Sequence, residues 1–206
     1  MVKISVAFPL LCVLLLSAPS PVYGQSITRP GAGVGISAAL GEGREMWDTG
    51  FVFYGEFHRQ VRDALFLGGR AAYSRWNANE DQLVEMYSAS LGQNLDVSGR
   101  TGILELSPAV RFHPPLFNER PVFLQFGAGY YLVEQLTEAS TSFRGNLATV
   151  SMDQSDNWFG IHFAAGVLIG RAGGIRFSVQ PVYNIIYTEQ ESIKYGTVNL
   201  GLVFGY

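Results

Sequence analysis

His58, His113 and His162 are the side chains of this 206-residue chain best suited to acid–base or metal chemistry. A serine hydrolase of the His-x-Ser type needs a serine two positions after one of them, with an acid nearby. Those positions hold Gln60, Pro115 and Ala164, so the pair does not exist here. The three histidines are far apart in sequence and lack the spacing of a zinc site. No metal, and no other cofactor, is expected. Glu80, Asp81 and Glu85 form an acidic cluster that could meet a divalent cation, but a solvated acidic loop accounts for them as well. Gly31-Ala32-Gly33-Val34-Gly35 has the look of a phosphate loop, yet no Lys follows and the run opens an alternating segment. Cys12 is the only cysteine; Leu10 and Leu11 stand where a lipidation signal would have small residues.

The remaining residues with chemical potential are charged ones set in apolar surroundings: Glu56, Arg70, Glu105, Arg111 and Arg176. Read with a period of two, the chain beyond residue 24 gives eight segments: Gly33–Gly41, Phe51–His58, Leu65–Trp76, Ile103–His113, Val122–Val133, Trp158–Ile169, Ile175–Tyr187 and Tyr195–Tyr206. One parity carries the apolar face residues, none of them charged, as in Phe159, Ile161, Phe163, Ala165, Val167 and Ile169. The other parity is mostly Gly, Ala and Ser, and carries all five of those charges and all three histidines.

Alternation of this kind suits two architectures. A soluble barrel turns its apolar face inward and its outer face should be rich in Lys and Glu. A membrane barrel turns its apolar face to lipid and keeps the polar face inside. The small residues on the polar face favour a narrow, crowded interior, and segments of about ten residues suit a tilted crossing. Charged residues make up only 15% of the chain, against about 25% in an average soluble domain. No 18-residue apolar run lies beyond the leader, so crossing as helices is excluded. The reading is therefore an all-β, antiparallel up-and-down transmembrane barrel of eight strands. An even number closes the sheet and leaves no edge.

Connection lengths orient it. The links after the second, fourth and sixth segments are short, and those after the third and fifth are long, covering 77–102 and 135–157. Short periplasmic turns and long external loops fit that alternation. Pairing about the turn near Asp63 brings Glu56 opposite Arg70, with Glu105 able to approach Arg70 from the other side. An inward network of Glu56, Arg70, Glu105, Arg111 and Arg176 is expected, filled in by Trp76, Tyr131, Trp158, Phe66 and Phe123. Asp81–Tyr87 reads as either a short amphipathic helix or a strand extension. Pro108 and Pro181, mid-strand on the lipid face, predict a bulge or some other local adjustment, because proline cannot donate to the ladder.

Residues 1–24 read as a signal peptide: Lys3, an apolar run from Ile4 to Leu16, then Val22-Tyr23-Gly24 before a cut at Gln25. The barrel domain is then 25–206. The run is too short for a spanning anchor. Nothing in the charge balance suggests nucleic acid.

The stretch Thr197–Tyr206 alternates strictly and ends on an aromatic, and Val122–Tyr131 repeats the pattern with glycines inside. With these, the chain resembles the small OmpA/OmpX/OmpW-like outer-membrane barrels over its whole mature length. The resemblance implies an outer-membrane location, contact with lipid and lipopolysaccharide, and recognition by the barrel-assembly machinery through Leu200, Leu202, Phe204 and Tyr206. It implies a structural or interaction scaffold displaying external loops, with 77–102 and 135–157 as candidate contacts for an extracellular partner. The alternative is a narrow porin-like channel for small or hydrophobic solutes. A lipid A-modifying barrel enzyme is a distant third, since only His162 lies away from the inner-leaflet ends.

Overall fold

The alternation is realised as a closed barrel. In the computed structural model, which describes residues 28–41, 44–91, 95–115, 121–143, 146–170, 174–189 and 191–205, the strands are β1 (Thr28–Leu40), β2 (Gly50–Arg62), β3 (Leu65–Asn77), β4 (Leu95–Phe112), β5 (Val122–Phe143), β6 (Asn146–Ile169), β7 (Arg176–Tyr187) and β8 (Ser192–Val203). Each pairs antiparallel with its sequence neighbour, and β1 closes on β8. The expected signal segment and Tyr206 lie outside the described residues. Among the described residues no helix is long and apolar enough to cross a membrane.

Closure follows from the period-two pattern. Phe53, Leu106, Leu124, Ile169, Phe177 and Leu200 point outward and are exposed, while the opposite parity is buried. An exposed apolar belt on this scale has no place in water. On β6 it runs from Phe159 to Ile169, the length a tilted strand needs to cross hydrocarbon. The ladder pairs Tyr130 with Phe159 and Phe159 with Tyr187, so three outward aromatics share one level. Beyond them β6 turns polar on the same parity, with Asn157, Ser155 and Asp153. That marks the belt's upper border at what we call the far end; the near end is where β1 begins and β8 finishes.

Past this border the strands continue. The stretches 77–102 and 135–157 are not loops: they contain a helix, α1 (Glu80–Leu91), the first part of β4, and a β5–β6 hairpin whose pairing reaches Phe143 with Asn146. Apolar alternation stops at the lipid border, so it does not reveal strands held beyond it by backbone hydrogen bonds. The helical alternative for Asp81–Tyr87 is the one adopted. Asn79 starts α1: its carbonyl accepts from Leu83 N at 3.1 Å and its Oδ1 from Gln82 N at 3.4 Å. Glu80 and Asp81 then suit the positive end of the helix.

Neither mid-strand proline makes a bulge. At Pro108 the β4–β5 ladder lacks the rungs between Leu106–Tyr130 and Ala109–Gly127, with equal residues on both sides. At Pro181 the β6–β7 ladder lacks those between Ala164–Val182 and Val167–Val179, again in unchanged register. Each ring removes a donor on one seam, while its other seam stays in register. The register shift among these pairs lies instead at Gln60/Arg62, beside the Asp63 turn.

Candidate functional site

The barrel interior brings together most of the predicted charges. Glu56, Arg70, Glu105, Arg111 and Arg176 are all buried, at 1–6% exposure. The backbone register sets Glu56 opposite Arg70 as the sequence predicts. The side chains pair differently. Glu56 Oε1 accepts from Arg111 Nη2 at 2.6 Å, and Arg70 Nε meets Glu105 Oε2 at 3.4 Å. In so narrow a barrel a guanidinium reaches across to a strand that is not its neighbour. The approach of Glu105 to Arg70 is as expected; a Glu56–Arg70 pair is not formed. Arg176 is buried at the near end, where β7 begins opposite Val203.

Between the two ion pairs runs a chain of neutral groups that the spacing of residues did not reveal. Arg111 donates through Nε and Nη2 to Gln125 Oε1 at 3.0 and 2.7 Å. That fixes the amide, so Gln125 Nε2 faces His162 Nε2 at 3.3 Å and must donate to it. His162 then carries its proton on Nδ1, which donates to Glu105 Oε1 at 2.8 Å. Ser107 Oγ donates to the same carboxylate oxygen at 2.7 Å. The result is one continuous network, Glu56–Arg111–Gln125–His162–Glu105–Arg70, with two carboxylates facing two guanidiniums. Buried charges persist when paired and hydrogen-bonded in this way.

Ser107, His162 and Glu105 are the residue types of a hydrolytic triad, but not its geometry. In a working triad the serine and the acid sit on opposite ring nitrogens. Here both sit on Nδ1, with Ser107 Oγ at 3.3 Å from it, and Nε2 belongs to Gln125. His162 and Glu105 are 0% and 1% exposed, so no substrate reaches them. His58 and His113 are buried near the other end; neither ring nitrogen of His58 has a hydrogen-bond partner among the described residues. Among the described residues no three His, Cys, Asp or Glu side chains are grouped to hold a metal ion, Glu80, Asp81 and Glu85 included.

Aromatic rings complete the filling. Phe66, Phe123 and Tyr131 are buried, and Arg111 lies over the Phe123 ring at 4.0 Å and Arg70 over that of Tyr54 at 4.8 Å. The glycines of the inward parity make room for them. A Cβ on Gly127 would strike the His162 ring, and one on Gly166 the Phe123 ring. This is why the polar face reads as Gly and Ala.

At the far end the filling stops. Trp76, Ile103, Tyr131, Val133, Ile186 and Tyr195 form an apolar floor, with Trp47, Trp158 and Ile193 packed on it. Above it opens a vestibule of about 1150 Å³. Trp158, inward as expected and opposite Tyr131 in the ladder, is half-buried at this mouth. At the opposite end Leu200 and Leu202 of β8, and Phe204 just beyond it, are exposed.

The fold is shared with solved outer-membrane barrels. Ail, the attachment invasion locus protein of Yersinia pestis, solved with the heparin analogue sucrose octasulfate, superposes with a TM-score of 0.52 at 15% identity, covering 88% of this chain and 99% of Ail. A major outer membrane protein of Thermus thermophilus gives 0.50 at 10% identity, over 86% of this chain and 98% of that one. Such identities establish architecture alone. Among curated proteins, no sequence matches this chain. The family profile described as the outer membrane protein beta-barrel domain matches residues 8–205. This chain belongs to that family, and its place is the outer membrane.

Proposed function

We propose that the protein is a closed scaffold, in which the barrel anchors a projecting sheet on the outside of the cell and does not serve as a general pore. The observation that carries this is the interior. Side chains fill it from Phe66 and Phe123 at the near end, through the ion-pair network, to Tyr131 and Trp76. An eight-stranded barrel has room for little else. Among the described residues the network lacks the geometry of a hydrolytic triad, which supports a non-catalytic role.

The displayed part is the β4–β5–β6 extension. With termini in the periplasm the far end faces outward. β7 pairs with β6 only as far as Phe159–Tyr187, whereas β5 accompanies β6 to Asn146. The outer edge of β6 from Asn146 to Asn157 is therefore unpaired among the described residues, for roughly 40 Å of strand at about 3.3 Å per residue. Such an edge offers backbone donors and acceptors to an extended partner segment.

The channel reading has one observation in its favour, the missing rungs beside Pro108 and Pro181, which weaken two seams of the wall. Inward of the second seam stand Gln180 and Asn199, both fully buried, while Ala164, Ala165, Pro181 and Val182 beside the missing rungs line a cavity of about 1020 Å³. Single-channel recording of refolded protein separates the readings. The scaffold predicts a silent bilayer; steady, reproducible conductance steps would refute it.

A further inference from the structure

Tryptophan is rare in this chain: Trp47, Trp76 and Trp158 are its only three. They come from the β1–β2 connection, from β3 and from β6, and all three line the far-end vestibule. Trp76 meets Tyr195 edge-on, with centroids 5.1 Å apart. Indole faces attract cations, most strongly where water is thinned out. The rim adds carboxylates. Asp156, half-buried at an inward position of β6, is joined by Glu189 and Glu191 of the β7–β8 turn. Among the described residues Lys194 is the one base lining the cavity, and its position in β8 has outward parity.

A second observation points to a guest. Trp76 and Thr101 line the cavity and are 4% and 6% exposed, yet Trp76 Nε1 and Thr101 Oγ1 have no hydrogen-bond partner among the described residues. Buried polar atoms are rarely left so. An apolar floor with a few convergent polar groups is the usual make-up of a small-molecule site.

We propose that the vestibule binds small organic cations that carry an apolar or aromatic body and a hydrogen-bonding group. The body lies on the tryptophan floor, the hydrogen-bonding group is taken up by Trp76 and Thr101 once their side chains turn toward the cavity, and the positive charge faces Asp156. This adds a ligand site to the scaffold and holds whether or not a protein partner docks on β6.

The test uses refolded full-length barrel in detergent and the probe meta-hydroxyphenyltrimethylammonium. Meta-cresol and meta-phenolsulfonate supply the same ring with no charge and with negative charge. Every tryptophan lines the site, so indole emission reports occupancy directly; calorimetry run in parallel reads binding if emission is silent. The expected result is saturable binding of the ammonium, at least threefold tighter than the cresol, and none of the sulfonate. Asp156→Asn should bring the ammonium down to the level of the cresol, with the heat-modifiable gel shift of the folded barrel unchanged. If that variant does not fold, Glu189→Gln with Glu191→Gln on the exposed turn should weaken the ammonium selectively. Equal binding of ammonium and sulfonate, no saturable binding, or indifference to the rim substitutions overturns the proposal. None of these outcomes bears on conductance, so the scaffold reading stands or falls separately.

Discussion

Arg111 Nη2 lies 2.6 Å from Glu56 Oε1, a contact that joins residues 55 apart in sequence and on strands that are not neighbours. The residue that faces Glu56 across the ladder is Arg70, and its Nε meets Glu105 instead. Strand pairing thus sets which residues share a level. The narrowness of the lumen sets which of them bond.

This separation can be measured. A double-mutant cycle on Glu56→Gln and Arg111→Met should show strong coupling, in the range of about 1–3 kcal/mol for groups in one network. The cycle on Glu56→Gln and Arg70→Met should show less. Urea unfolding of the refolded barrels reads both. Single substitutions should each be costly, about 3–5 kcal/mol, because each strands a buried charge. Coupling stronger for Arg70 than for Arg111 would mean that the partners are those of the register after all.

Gly127→Ala should destabilise the barrel although alanine normally suits a strand better than glycine. The added methyl strikes the His162 ring. Moving that ring disturbs its bonds to both Gln125 and Glu105. Overpacking of this kind costs about 1–3 kcal/mol. Gly55→Ala is the control, because a Cβ there meets nothing within 4 Å. A loss confined to Gly127 in thermal or urea unfolding supports the seating of His162; equal effects at both sites do not.

How much of this was legible in the sequence follows from what a period of two encodes. It encodes sidedness, so the burial of Glu56, Arg70, Glu105, Arg111, Arg176 and the three histidines was readable, as was the Glu56–Arg70 level. It does not encode reach across the lumen, which depends on strand stagger and tilt. That is why the Arg111–Glu56 pair was not readable. Gln125 and Ser107 gave no signal because neutral polar residues are ordinary at inward positions. The far-end strands leave no signal because Ser155, Asp153 and Ser151 are polar where lipid-facing residues would be apolar. The vestibule leaves none because Trp47, Trp76 and Trp158 are far apart in sequence.

Orientation has its own test. Cys12 is the only native cysteine, so single cysteines placed in a Cys12→Ser background are unambiguous. Val150 on the β6 extension and Glu85 on α1 are exposed, as is Asp63 in the turn at the opposite end. On intact cells a membrane-impermeant maleimide should label cysteine at 150 and 85 and spare 63. After permeabilisation all three should react. Labelling at 63 but not at 150 in intact cells would reverse the outward placing of the hairpin, and with it the proposal that β6 offers its edge to the exterior.

Phe123 is where stability and closure of the lumen should part company. The ring is fully buried, rests on the backbone at Gly166, and lies beneath the Arg111 guanidinium. Phe123→Ala therefore removes packing, worth about 3–5 kcal/mol at a buried aromatic, and a cation–π contact in one step. Phe123→Leu should restore most of the packing but not the contact with Arg111. Unfolding should therefore rank native, Leu, Ala in falling stability. Conductance should rank differently. Leucine still blocks the near end, so the Leu variant should stay silent, like the native barrel. Phe123→Ala combined with Arg111→Ala empties two adjacent interior positions and should admit ions as a small, steady leak. If the double variant folds and stays silent, the block lies elsewhere, at Tyr131 and Trp76. If the native barrel already leaks as much, the side chains do not seal it, and the scaffold proposal gives way to the channel.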